Sequence, residues 1–240
     1  MAIAPTSTFA LACAPYTFKD LEATVCRIDL RTHALRMFLN DEKGRPLKYF
    51  SGVNRLLQPR GERLAFAMNA GMYHKDFSPV GLLVIDSEEV NPINLDNAAG
   101  NFFLKPNGVF FVSSGGAQIV ESSRYAGLRE KPLVATQSGP MLVIDGALHP
   151  AFREHSTSRY VRNGVGLLSE HEVVFAISER PVTFHEFAVL FRNGLGCKDA
   201  LFLDASVSSL YSETLQRRDV RASLGPIIGV VVPDTPAAEG

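Results

Sequence analysis

The middle of the chain is a succession of short apolar runs, each stopped by residues that turn the backbone. Val109 to Val112 follows Pro106-Asn107-Gly108, Gln118 to Val120 follows the turn Ser113 to Gly116, and Met141 to Ile144 meets Ala147-Leu148 across Asp145-Gly146. Asn-Gly and Asp-Gly supply the positive φ angles that tight hairpins require. Phe102 to Lys105 reads as one more strand before the Pro-Asn-Gly turn, and Val165 to Leu168 pairs with Glu172 to Ile177 around Ser169-Glu170-His171. Runs of this length bounded by turn residues are strands. The pattern predicts a largely antiparallel meander.

The flanks fit the same picture. Thr24 to Arg31 alternates as a strand with Leu35 to Leu39 as its hairpin partner, Leu64 to Met68 is a buried strand, and Val80 to Asp86 is another. Leu47, Phe50, Val53, Leu56 and Leu57 give Pro46 to Leu57 a weak helical pattern. Thr183-Phe184-His185-Glu186 has capping-box spacing, and Phe184, Phe187, Ala188, Phe191 and Leu195 then fall on one helical stripe ending at Gly194 and Gly196. This helix feeds an apolar run, Ala200 to Leu203, and Ile227 to Val232 is the last strand. Strands dominate over few helices, which makes the expected fold α+β in a single domain, largely antiparallel β-sheets, over residues 24–232. Residues 1–23 are set apart as an N-terminal segment that could be the trimmed end of a signal, and 233–240 as a frayed tail.

Composition narrows the function classes. With 46% hydrophobic residues the 240-residue chain can build a sizeable core, rich in its 16 Phe and without Trp. Lys plus Arg number 24 against 25 for Asp plus Glu, with no basic block, which argues against nucleic acid as an obligatory partner. No apolar run approaches the ~20 residues that span a bilayer. Cys13, Cys26 and Cys197 have no metal-ligand spacing. Cys13 and Cys26 could pair in an exported protein, whereas in a reducing cytosol all three would be small buried hydrophobes, and the sequence does not decide between these.

Walker, Gly-x-Gly-x-x-Gly, Gly-x-Ser-x-Gly and His-Glu-x-x-His signatures are absent. Four stretches have the character of a site, each putting polar side chains and small residues at the end of an apolar strand. They are Asn69-Ala70-Gly71-Met72-Tyr73, Gln137-Ser138-Gly139-Pro140, Arg162-Asn163-Gly164-Val165-Gly166, and Asp204 with Ala205, Ser206, Ser208 and Ser209. Glycines at strand boundaries let a ligand come close to the backbone. Asp204 is the most pointed of these residues, because a carboxylate delivered by a buried strand must be hydrogen-bonded, hold a cation or do chemistry. Singly, each stretch is an ordinary turn.

The order NAGMY, GLLVID, NGVFF, QSGPMLV, RNGVG and LDxSxSSLY resembles the phosphodiester glycosidase family, from about Thr24 to Val231, and is closest to its bacterial branch with QSGP and Leu195-Gly196-Cys197. The resemblance implies hydrolysis of a sugar-1-phosphodiester at the glycosidic carbon, and an exported, periplasmic or secreted protein, with a cytoplasmic one left open by the N-terminus. Arg162 would hold the phosphate, its planar fork binding two oxygens. Asp204 would be base or nucleophile, with Glu179 as a second carboxylate if two are required. Asn69, Gly71, Gln137, Ser138, Gly139 and Ser208 would contact sugar or phosphate, and Tyr73 and Tyr211 could stack on a sugar face. Asn107 is assigned to the hairpin turn. No cofactor or metal is predicted; calcium beside Asp204 stays open, with too few acidic ligands in view to predict it. Ala205 stands where the family carries glycine, so either the turn is altered or it uses an angle that alanine allows. The alternative reading is a non-catalytic envelope protein that binds glycans or phosphoglycans.

Overall fold

The computed structural model describes residues 11–234. The start of the N-terminal segment and the end of the C-terminal tail lie outside the described residues. Three antiparallel sheets organise the described residues. The largest runs, in spatial order, Ala12–Phe18, Leu21–Asp29, Glu172–Ser178, Asn163–Leu167, Asp199–Asp204, Met141–Ile144 and Ala147–Leu148. The second runs Arg217–Arg218, Leu210–Ser212, Glu62–Asn69, Ile227–Pro233 and Leu35–Phe38. The third runs Glu88–Asn91, Leu83–Ile85, Val134–Ser138, Gly108–Ser113 and Gly116–Glu121.

All three sheets turn one face to a common core in which Phe66 and Met68, Leu83 and Phe110, and Phe175, Leu201 and Leu203 meet. The central strand Glu172–Ser178 reads as an unbroken apolar run because both of its faces are buried. Val173, Phe175 and Ile177 enter the common core, while Val174 and Ala176 pack under the helix Phe184–Val189. That helix opens on the capping box of Thr183 and Glu186, as the spacing predicts, and widens into a π turn over Leu190–Gly194. The helix Phe50–Leu57 covers the outer face of the second sheet. None of the helices is long and apolar enough to cross a membrane, among the described residues.

Several local expectations hold. Asp145 and Gly146 turn the Met141–Ile144 hairpin with φ of 48° and 81°. The hairpins Gly108–Ser113 with Gly116–Glu121 and Asn163–Leu167 with Glu172–Ser178 are both present. Two are corrected. Leu35–Phe38 is not the partner of the strand before it: Leu21–Asp29 lies between Ala12–Phe18 and Glu172–Ser178, and Leu35–Phe38 pairs with Ile227–Pro233 in another sheet. Asp29, whose carboxylate takes a forked set of hydrogen bonds from Arg31, ends the strand Leu21–Asp29, after which the chain changes sheets. Phe102 to Lys105 is not a strand either; Asn101–Phe103 is a 3₁₀ turn, and Asn107, rather than turning a hairpin, is buried and donates through Nδ2 to the Phe102 carbonyl at 2.8 Å.

Ordered structure also begins earlier than residue 24. Ala12–Phe18 adds an edge strand to the largest sheet, and Cys13, directly opposite Cys26, is bonded to it in a disulfide. Cys197 is free and buried. As an edge strand it has one strand neighbour, and beyond this bond it is held by the Tyr16 hydroxyl donating to the Gly194 carbonyl at 2.6 Å and by the packing of Tyr16 and Phe18 under the helix. Cys13→Ala with Cys26→Ala is therefore expected to lower stability by about 2–3 kcal/mol, measured by urea unfolding, with amide exchange speeding up first in residues 12–18.

Candidate functional site

The four polar stretches converge, and what joins them is a pair of asparagines. Asn163 and Asn69 are both fully buried. The Asn163 Oδ1 accepts from the Asp204 backbone N–H at 3.1 Å, the Ser208 hydroxyl at 3.1 Å and the Asn69 amide at 3.2 Å. Its Nδ2 donates to the Asn69 carbonyl at 3.0 Å, and the Asn69 Oδ1 accepts the Ser209 N–H at 2.9 Å. The Ser138 hydroxyl adds the fourth stretch by donating to the Leu203 carbonyl at 2.8 Å. Strand ends from all three sheets are thus pinned around Asp204. A buried polar network of this kind is specifying only while every member is satisfied. Asn163→Ala is expected to cost about 3 kcal/mol or more, read in urea unfolding, because it orphans several buried groups at once.

Asp204 is half-buried at the end of its strand, where Asn163 is its cross-strand neighbour. Burial raises its pKa, against the opposing pull of the backbone N–H groups of Ala205, Val207 and Ser206; the first of these lies 2.5 Å from Oδ1. Ala205 is not among the residues with positive φ, so the turn takes alanine at an angle that alanine allows. Tyr73 lies within the field of Asp204. Its phenol is pushed up to about 12 by burial and then by that charge, its hydroxyl donates to the Ser223 carbonyl, and its ring stacks on Phe77 at 5.8 Å.

Arg162 precedes Asn163 and projects into a different environment. It is fully buried, the largest side chain to be so among the described residues, and among those residues no carboxylate pairs with it, Tyr160 being the titratable group that acts on it. Nε donates to the Val182 carbonyl at 2.9 Å, Nη2 to the Ser158 carbonyl at 3.3 Å, and Nη1 has no partner. Burial lowers its pKa to about 10. The guanidinium lies over the Phe184 ring at 3.6 Å, Phe184 stacks on Phe152 at 5.1 Å and 4°, and Phe152 stacks on His149 at 4.7 Å. A cation over an aromatic face recovers part of what desolvation costs, but it leaves the charge itself unneutralised.

Other expected contacts are corrected. Gln137 has no capacity left for a ligand: Oε1 accepts from the Leu82 and Asn94 N–H groups, and Nε2 donates to the Asn94 carbonyl and the Ser122 hydroxyl. Tyr211 is core, packed on Phe50 at 6.0 Å. Glu179 accepts from Arg217 at 2.5 Å and from the Thr24 hydroxyl at 2.6 Å, which places it in an ion-pair cluster with Asp219. Gly71 and Gly139 are packing residues, because a Cβ would lie 2.3 Å from the Gln137 carbonyl in the first case and 2.6 Å from Asn107 Cβ in the second. The same holds for Gly166, where a Cβ would meet Cys197 Sγ at 2.6 Å and Phe191 at 2.8 Å. Here the glycine admits the helix, not a ligand.

Comparison with known proteins bears on this arrangement. The model of the phosphodiester glycosidase family matches residues 62–230. The chain belongs to that family. Among curated proteins it is 29% identical to the uncharacterised protein YigE of Escherichia coli K12 over 205 residues, covering 85% of this chain and 80% of that one. Its fold matches the catalytic domain of zebrafish N-acetylglucosamine-1-phosphodiester alpha-N-acetylglucosaminidase, a structure auto-inhibited by its pro-peptide, with TM-score 0.62, 11% identity, and 92% and 82% of the two chains covered. It also matches a Burkholderia pseudomallei protein described as exported, with TM-score 0.51, 12% identity, and 88% and 74% covered. The family match spans all four stretches whole. Asn163 stood in the sequence between Arg162 and Gly164 as an amide at a strand end, the same signal that singled out Asn69. Nothing in the sequence marked the His149-Phe152-Phe184 column: His149 and Phe152 share one turn, but Phe184 meets them from the start of the helix.

Proposed function

We propose that this phosphodiester glycosidase hydrolyses a sugar-1-phosphodiester at the glycosidic carbon, with Arg162 holding the phosphate and Asp204 acting as the base. The observation that carries the reading is the buried guanidinium with a free Nη1 and no counter-charge. A phosphodiester supplies the missing negative charge and matches the guanidinium edge. Asp204 belongs to the same end of the same sheet: Asn163, next to Arg162, is its cross-strand neighbour, and adjacent strands lie about 4.8 Å apart. In the reaction the carboxylate takes a proton from water, the water oxygen bonds to C1, and the C1–O bond to phosphorus breaks. The phosphate monoester leaves with the bonding pair. It is already anionic, so the step calls for no cofactor and little acid assistance. Burial of Asp204 suits this role, since a raised pKa makes a carboxylate a stronger base.

Tyr73, at the edge of the Asp204 field, is the side chain best placed to meet the sugar, and the hydroxyls of Ser138 and Ser208 hold the turn rather than the substrate. An oxidising compartment, periplasmic or extracellular, is supported by the Cys13–Cys26 disulfide. The test is product analysis with a panel of sugar-1-phosphodiesters, including N-acetylglucosamine-phosphomannose and nucleotide sugars. Free sugar released by the wild type and lost in Arg162 and Asp204 variants is the expected result. Binding of the panel without release in the wild type would identify a glycan-binding protein instead.

A further inference from the structure

Arg162 is fully buried, so an anion reaches it only if something that covers it moves. Most of its covers are tied into the fold. Phe184 opens the capped helix, Phe202 belongs to the strand Asp199–Asp204, and Val182 and Tyr160 are bridged by backbone hydrogen bonds in both directions, at 2.8 Å and 3.1 Å. One cover is held less firmly. Ser158, whose carbonyl accepts from Arg162 Nη2 at 3.3 Å, lies in a stretch, residues 153–159, that is neither helix nor strand.

This stretch is anchored at its two ends, where Phe152 stacks on Phe184 and Tyr160 is bridged to Val182. Between the anchors its backbone N–H groups bond only locally, Ser156 to the Arg153 carbonyl and Ser158 to Ser156 Oγ. What fastens it to the rest is Arg159. That guanidinium grips Glu186 at the helix start through both terminal nitrogens, at 2.7 Å and 3.0 Å, and reaches the Pro181 carbonyl at 3.5 Å. The two side chains of the pair are 50% and 37% exposed, and an ion pair so exposed is weak and screened by salt. Apart from Ser156, which is partly buried, residues 153–159 are already exposed, so lifting them uncovers little apolar surface. Lifting them also relieves a cost, because Arg162 Nη1 has no partner and the desolvated guanidinium regains water.

We infer that residues 153–159 are a gate over Arg162, latched by the Arg159–Glu186 ion pair and loosened as ionic strength rises. The gate lifts toward the cleft of about 560 Å³ that Glu154, Arg159, Val182 and Glu186 help to line. The inference rests on the phosphodiester reading for what Arg162 receives, but not for the gate, which is a property of the covering segment. With the gate mostly shut, the apparent affinity for an anion is the intrinsic one reduced by the open fraction.

The experiment follows modification of Arg162 by phenylglyoxal, which attacks solvent-accessible guanidinium groups, in the full chain and its Arg159→Ala variant, with the modified site located by mass spectrometry. Arg162 is expected to react in the folded wild type at a rate that urea well below the unfolding transition leaves unchanged, since a local opening exposes little surface. The variant is expected to react about two- to fivefold faster, the effect of losing an exposed ion pair. Sodium chloride should raise the wild-type rate toward that of the variant. Reaction only in step with global unfolding, or at one rate in both proteins, overturns the inference. Inorganic phosphate, added in a separate arm, is expected to slow the reaction by occupying the guanidinium. Opening that meets these expectations while phosphate gives no protection would keep the gate and remove the role given to Arg162.

Discussion

Arg162→Met is expected to abolish phosphate binding and to cut turnover about 10³-fold while leaving the fold nearly as stable as before. The wild-type guanidinium loses its hydration, a penalty of several kcal/mol for a buried ion. Against this stand two hydrogen bonds to carbonyls, about 1.5–3 kcal/mol each for a charged donor, and the stack on Phe184, about 2 kcal/mol when desolvated. The terms roughly cancel. Methionine keeps most of the volume, and the Val182 carbonyl stays satisfied because it also accepts the Tyr160 N–H at 3.1 Å. The melting temperature is therefore expected to move by less than about 4 °C, which is about 1 kcal/mol for a chain of this size. Wild-type protein should melt higher as inorganic phosphate is added, through ligand linkage, and the variant should not. A variant that still responds to phosphate would show that the anion is held elsewhere; one that unfolds would make Arg162 a structural residue.

Asp204→Asn is expected to lose about 10²–10⁴-fold in turnover, the usual contribution of a positioned base, and to gain thermal stability at neutral pH. The asparagine Oδ1 can still accept the Ala205 N–H, so the turn survives. The gain follows from the direction of the pKa shift. Burial raises the folded-state pKa of Asp204, so ionising it opposes folding. That cost is absent below the unfolded-state pKa of about 3.9, grows as pH rises to the folded-state value, and is complete above it. The variant should accordingly match the wild type in acid and exceed it once the wild-type carboxyl has ionised. The acid limb of kcat/KM for the wild type should sit above the ordinary aspartate range for the same reason. An acid limb at the ordinary value, or a variant less stable at pH 7, would remove Asp204 from the desolvated site described here.

Much of this was legible in local sequence. The turn at Asp145-Gly146 needs two positive φ angles, and the side chains that tolerate them are written there. The Thr183–Glu186 cap is a four-residue pattern that closes on itself. The apolar run into Asp204 announced a buried strand ending in a charge. Failures came where a partner was distant in the chain. Leu35–Phe38 has the composition of a hairpin strand, but its partner is Ile227–Pro233, and nothing within a few residues of either says so. Gln137 and Tyr211 have side chains that serve a ligand or a core equally well. Which they serve depended on Asn94, Leu82 and Phe50 arriving beside them.

The candidate site divides the same way. Residue types that can bind phosphate or take a proton, and their places at strand ends, are properties of the sequence, because strand period and turn chemistry act over a few residues. The unpaired state of Arg162 and the raised pKa of Asp204 are not. The first depends on what packs around the guanidinium, Phe184 and Val182 among it, and the second on the burial that desolvates the carboxyl. Desolvation depends on everything packed within a few ångströms, which only the tertiary structure brings together.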